Sequence, residues 1–140
     1  MKYLIANWKM NKSHKEGLKT VISVKKKIMN TNVKKYIFLP SFQSILFIKD
    51  NLPKDNVLFG AQDCSRYSNG PFTGDVSAEM LKKIGCKYIL IGHSERRTLF
   101  DETGKVLEKK ITQALKNKLK VIFCVGENYK AYRKKESSKI

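Results

Sequence analysis

Five short apolar runs recur along the chain with helix-like stretches between them, and this rhythm limits the possible folds more than any other feature. The runs are KYLIANWK (2–9), YIFLP (36–40), NVLFGA (56–61), KYILIG (87–92) and KVIFCVG (120–126). Each is nearly continuous in apolar residues rather than alternating. That predicts strands covered on both faces, as in a parallel sheet. Between the runs, Ser13-x-x-Glu16 has the spacing of a capping box. Behind it Leu18, Val21, Ile22, Val24, Ile28 and Met29 fall on one helical face. Ser41 opens a second helix carrying Phe42, Ile45 and Leu46. Ser77 opens a short third, with Met80, Leu81 and Ile84, closed by Gly85. Another runs from about Thr103 to Asn117, with Leu107, Ile111, Ala114 and Leu115 at helical spacing.

Strand and helix alternating in this way predict one α/β domain over residues 1–140. Right-handed crossovers make it either an open doubly wound sheet or a barrel. No G-x-G-x-x-G follows the first run, which argues against a dinucleotide-binding sheet.

Charge and cysteine content narrow the function classes. The chain has 29 basic and 12 acidic residues, a net charge of +17. Such a balance raises nucleic acid or anionic lipid as partners. Only Arg66, Arg96, Arg97 and Arg133 are arginines, however, and base readout and phosphate clamps favour arginine. The lysines, among them Lys25, Lys26 and Lys27 or Lys109 and Lys110, occupy helix positions and read as solvated faces. The expectation is no nucleic acid and no membrane, with a basic nucleic-acid-binding module kept as an alternative. Cys64, Cys86 and Cys124 show neither a C-x-x-C pair nor metal spacing. They suit a reducing compartment, with no metal or cofactor expected. The apolar start is too short for a signal peptide and no segment reaches transmembrane length, so the expected location is cytoplasmic.

Ligands of parallel α/β folds gather at the carboxyl ends of the strands. There the first run presents Asn7 and Lys9 around Trp8, the fourth His93, Ser94, Glu95 and Arg96, and the fifth Glu127. A helix beginning just after His93 favours the uncharged ring. A neutral imidazole, an ammonium and an amide meeting at one point polarise a carbonyl and hold an anion. Trp8 and Cys124 are expected to pack, and His14 to be plain surface. The segment QDCSRYSNGPFTGDV (62–76) lacks any period and is long for a connection, which suggests a functional loop.

ANWKMN, NGPFTGDVS, GHSERR and CVGE stand in that order near the ends of successive predicted strands. Together they resemble the triosephosphate isomerase family. The resemblance implies a βα barrel of eight units and about 250 residues, of which five units are present here, truncated after strand five. It implies an isomerase that interconverts dihydroxyacetone phosphate and glyceraldehyde 3-phosphate through an enediol(ate), in glycolysis and gluconeogenesis, without a cofactor. By the same resemblance Lys9 neutralises substrate phosphate and enediolate, and Asn7 is an amide donor beside it. His93 is the electrophile, held neutral at a helix start as is known for this family. Glu95 positions the lysine. From their place at the strand exits, Ser94 and Glu127 are expected to stand behind these groups, with a helix cap as the other reading of Glu127. Loop 62–76 would enter a second subunit of a homodimer. Thr73 would approach the second site, and Asp75, where the family more commonly has glutamate, would meet the partner's Arg96. The family's general-base glutamate follows a sixth strand, and these 140 residues contain neither it nor the lid and phosphate loops. An inactive remnant or fragment is therefore a further alternative.

Overall fold

All five strands are parallel and stand in the sheet in the order in which they occur in the sequence. The structure, a computed structural model, describes residues 3–28, 35–52, 57–127 and Arg133. The strands are β1 (Tyr3–Asn7), β2 (Lys35–Leu39), β3 (Val57–Ala61), β4 (Tyr88–Ile91) and β5 (Lys120–Phe123). Helices α1 (His14–Ile28), α2 (Phe42–Asp50) and α3 (Ala78–Lys83) follow the first three strands. Two helices, α4 (Ser94–Leu99) and α5 (Gly104–Lys116), lie between β4 and β5. Parallel pairing sets Asn7 beside Leu39, Phe38 beside Phe59 and Ile91 beside Phe123, so the strand exits share one end of the sheet.

Both faces of the central strands are covered, as their apolar runs predict. On β4 every residue is buried. Ile89 and Ile91 point to the helix layer, where they join Phe38, Phe59, Val21, Ile45 and Leu81. Tyr88 and Leu90 point to the other face and pack with Ile37, Leu39, Leu58, Ile122 and Cys124. The alternation is the two-residue period of a strand, hidden in the sequence because both faces are apolar. The outer strands differ. Tyr3, Leu4 and Ile5 on β1 are 41–49% exposed, and Phe123 on β5 is 46% exposed. Together the strands form part of a βα barrel.

The helix starts obey local chemistry. The Ser13 N–H and Oγ–H both donate to Glu16 Oε2 at 2.8 Å, which holds the Glu16 carboxyl below its ordinary range. Ser77 Oγ accepts from Met80 N at 3.2 Å, and Gly85 ends α3 at φ +95°, a conformation natural only to glycine. Ser41 precedes α2 without capping it through its side chain; its hydroxyl instead meets Ser44 Oγ at 3.2 Å. Several positions placed on apolar faces turn outward. Ile45 and Ile48 bury against the sheet while Phe42 and Leu46 do not, because a helix this short buries only one narrow stripe. Leu115 and Met80 are likewise more than half exposed, Met80 lying beneath loop 62–76. Met29 and the residues after Glu127, apart from Arg133, lie outside the described residues.

Candidate active site

The turn that leaves β1 is held from several sides. Trp8 N donates to Leu39 O at 3.2 Å, and the indole is buried edge-on against Phe38 and against Gly17 of α1. A Cβ on Gly17 would come within 2.6 Å of the indole, so this close approach needs glycine. Lys9 then adopts φ +53°, left-handed and unusual for a side chain with a Cβ. Its N–H donates to Asn7 Oδ1 at 3.0 Å, and its carbonyl accepts from Gln62 Nε2 at 2.9 Å. The same nitrogen donates to Leu39 O at 2.8 Å.

The exit of β4 is built differently. Gly92 takes φ +79°, and its carbonyl accepts from Arg97 Nε at 2.7 Å. Arg97, though exposed, also donates to Cys124 O at 3.0 Å, so it joins the exits of β4 and β5. His93 is the N-cap of α4: its Nδ1 accepts the backbone N–H of Glu95 at 3.3 Å. A ring nitrogen that accepts carries no proton, so the neutral imidazole has its N–H on Nε2.

These two exits meet. Lys9 Nζ lies 2.6 Å from Glu95 Oε1, linking residues 86 apart in sequence. The hydrogen bond from Lys9 holds the Glu95 carboxyl below the ordinary glutamate range. Asn7, Lys9, His93 and Glu95 line one cavity of about 700 Å³, together with Gln62 and Asp63. One chamber thus brings an imidazole, an ammonium and an amide together. Its carboxylates, Asp63 and Glu95, are both engaged by cations, so among the described lining residues neither is free to abstract a proton.

Arg96 lines the same cavity and also enters a largely buried charge cluster. Its Nε lies 2.6 Å from Glu102 Oε1 and 2.8 Å from Asp63 Oδ2. Lys110 Nζ reaches both Asp63 oxygens, at 2.7 and 2.6 Å, and Glu102 Oε1 at 2.5 Å. Lys110, read from the sequence as part of a solvated face, is thus buried, because it falls on the Leu107–Ala114 stripe of α5. That coincidence of a lysine with an apolar stripe was the available signal. Burial raises the Asp63 carboxyl despite both cations. Burial also pushes the Cys64 thiol to about 12 and the Cys86 thiol to about 11, so both are inert hydrophobes.

Loop 62–76 has internal order. Ser65 N bonds Val76 O at 2.8 Å across its base, and Tyr67 stacks on Phe72 with centroids 3.9 Å apart. Asp75 accepts from Ser65 Oγ at 2.7 Å within its own chain, and Thr73 is exposed. Ser94 and Glu127 are exposed and do not line the cavity. His14 is exposed too, but its ring meets Phe47 edge-on at 4.5 Å. Among the described residues no group of three or more His, Cys, Asp or Glu is placed to hold a metal. No helix among them is long and apolar enough to cross a membrane.

Comparison with known proteins matches this arrangement. Triosephosphate isomerase from Alkaliphilus metalliredigens is 44% identical over 124 residues, covering 89% of this chain and 50% of that protein. The Finegoldia magna triosephosphate isomerase is 44% identical over 128 residues, covering 91% of this chain and 51% of its own length. The crystal structure of triosephosphate isomerase from Bartonella henselae superposes with a TM-score of 0.89 at 30% identity, over 99% of this chain and 57% of that one. The chain therefore spans about half the length of the curated relatives it matches. The family model for triosephosphate isomerase matches residues 2–140, and this chain belongs to that family.

Proposed function

We propose that the chain supplies the electrophile and the cation of an isomerase that interconverts dihydroxyacetone phosphate and glyceraldehyde 3-phosphate, in glycolysis and gluconeogenesis. The observation that carries this reading is the single cavity lined by both Lys9 and His93. Removing a proton beside a carbonyl builds negative charge on its oxygen. A neutral imidazole N–H and a fixed ammonium, already in place, stabilise that charge without reorganising. Asn7 adds an amide group beside them. Glu95 holds the lysine Nζ and leaves its remaining hydrogens for the substrate. Ser94 and Glu127 serve behind these groups, Ser94 at the start of α4 and Glu127 beyond β5. No cofactor or metal enters this chemistry. The proton-abstracting base is not among the described cavity residues.

A homodimer formed through loop 62–76 goes with this reading, with Thr73 entering the second site and Asp75 facing the partner's Arg96. Exposed Met10, Leu99 and Phe100 on the cavity rim support a covered mouth, since they are 61–96% exposed. A cytoplasmic setting fits three free cysteines. The test is a coupled isomerase assay on the chain extended to the barrel length of the family, beside His93→Gln and Lys9→Ala. Loss of rate in both variants is expected. Equal rates in all three proteins would overturn the assignment.

A further inference from the structure

Gln62 belongs to none of the family-like motifs, yet its side chain bonds directly to the turn that carries Lys9. It stands immediately after β3, where its side chain lines the cavity. Its terminal nitrogen has two hydrogens, and both are used. One goes to Lys9 O at 2.9 Å and the other to Leu39 O at 2.8 Å. Leu39 O also accepts from Trp8 N, so this one amide bridges the exits of β1, β2 and β3. The residue it grips is the one whose backbone needs support. Lys9 sits at φ +53°, a conformation that a residue with a Cβ keeps only when its surroundings impose it. The direction of the Lys9 side chain follows from that backbone. The Lys9 N–H is held by Asn7 Oδ1 from within the turn, and Gln62 supplies the hold on its carbonyl from another strand exit.

We infer that Gln62 is a positioning residue for the Lys9 ammonium: by clamping the carbonyls of Lys9 and Leu39 it holds the left-handed turn and thereby aims Nζ at Glu95 and the cavity. The inference rests on the reading of Lys9 as the cation of the site. Geometry alone carries it, because a donor that only tied strands together would not need to reach the carbonyl of the one left-handed residue whose side chain enters the chamber.

The experiment follows the Glu95 carboxyl by NMR through an acid titration of the chain, in the parent, Gln62→Met, Gln62→Leu and Lys9→Met. Lys9→Met defines the midpoint of Glu95 without its ammonium. Both Gln62 variants keep the side chain's bulk and remove its donors. In both, the Glu95 midpoint is expected to rise toward the Lys9→Met value. Glu16, whose own low midpoint depends on Ser13, stays unmoved and reports that the fold is intact. A Gln62 variant with an unchanged Glu95 midpoint, while Lys9→Met raises it, would overturn the inference. A purely structural role would move neither carboxyl in a folded variant. The titration needs no turnover, so an extended parent chain without isomerase activity would count against the proposed reaction and leave this measurement decisive for Gln62.

Discussion

Lys9 and Lys110 each hold carboxylate oxygens at hydrogen-bond distance, 2.6 Å to Glu95 in one case and 2.6 and 2.7 Å to Asp63 in the other. The surroundings separate them. The Lys9 and Glu95 side chains are 51% and 44% exposed, whereas those of Lys110 and Glu102 are 7% and 5% exposed. Exposure leaves Glu95 well solvated, so its lysine partner dominates and the carboxyl is shifted down. At Asp63 burial outweighs the same kind of partner and the carboxyl is shifted up. The open pair contributes little to stability and can exchange partners with a ligand. The closed cluster cannot exchange, and it fixes α4 and α5 against the exit of β3. One pair opens onto the cavity, and the other is packed into the frame around it.

Removing each cation tests that division. Lys110→Ala leaves Asp63 and Glu102 with Arg96 as the remaining cation of the cluster, and should cost more than about 1 kcal/mol and up to about 3–5 kcal/mol in urea unfolding. A cost below about 1 kcal/mol, the range of exposed pairs, would show that the two clusters do not differ in kind. Lys9→Ala should leave stability nearly unchanged, within about 1 kcal/mol. In the full-length barrel it should lower the isomerase rate by about 10²–10³, the usual effect of deleting a preorganised donor to a developing oxyanion.

Acid titration sharpens the contrast further. Glu95 has a folded midpoint below its unfolded one. Its contribution is therefore complete above the ordinary glutamate range and is lost as pH falls through the folded midpoint. Asp63 has the opposite sign: its contribution is complete below the ordinary aspartate range and is lost as pH rises through its raised midpoint. Carboxyl NMR should find the buried Asp63 titrating above the free aspartate range and the exposed Glu95 below the free glutamate range. The smallest effect belongs to a site outside both clusters. Ser77→Ala removes the α3 cap and should cost about 1 kcal/mol in the same urea experiment, with Glu95 and Asp63 unmoved.

Much of the frame was legible because its signals are local. Near-continuous apolar runs marked the five strands, and Ser13 with Glu16 and Ser77 with Gly85 marked helix ends by groups only a few residues apart. His93 and Lys9 were visible through motifs at strand exits. What stayed hidden depends on tertiary contact. Lys110 looked like the neighbouring Lys109, although only one of them shares the stripe of Leu107 and Ala114. Asp63 and Glu102 lie far apart in sequence and meet only across the folded chain. Gln62 gave no sign, because an amide beside a loop has no period and its two acceptors are backbone atoms of other strands. The separate helices α4 and α5 were blurred, since Ser94–Leu99 is too short to establish a stripe of its own.

The strand order has a consequence for synthesis. Every strand lies next to the one made just before it, so each βα unit can dock as it leaves the ribosome without waiting for distant chain. The chamber does not share this locality. Lys9 emerges with the first unit and meets Glu95 only after the fourth. A nascent chain would thus lay down four strands before the ammonium of its first turn finds a counter-ion.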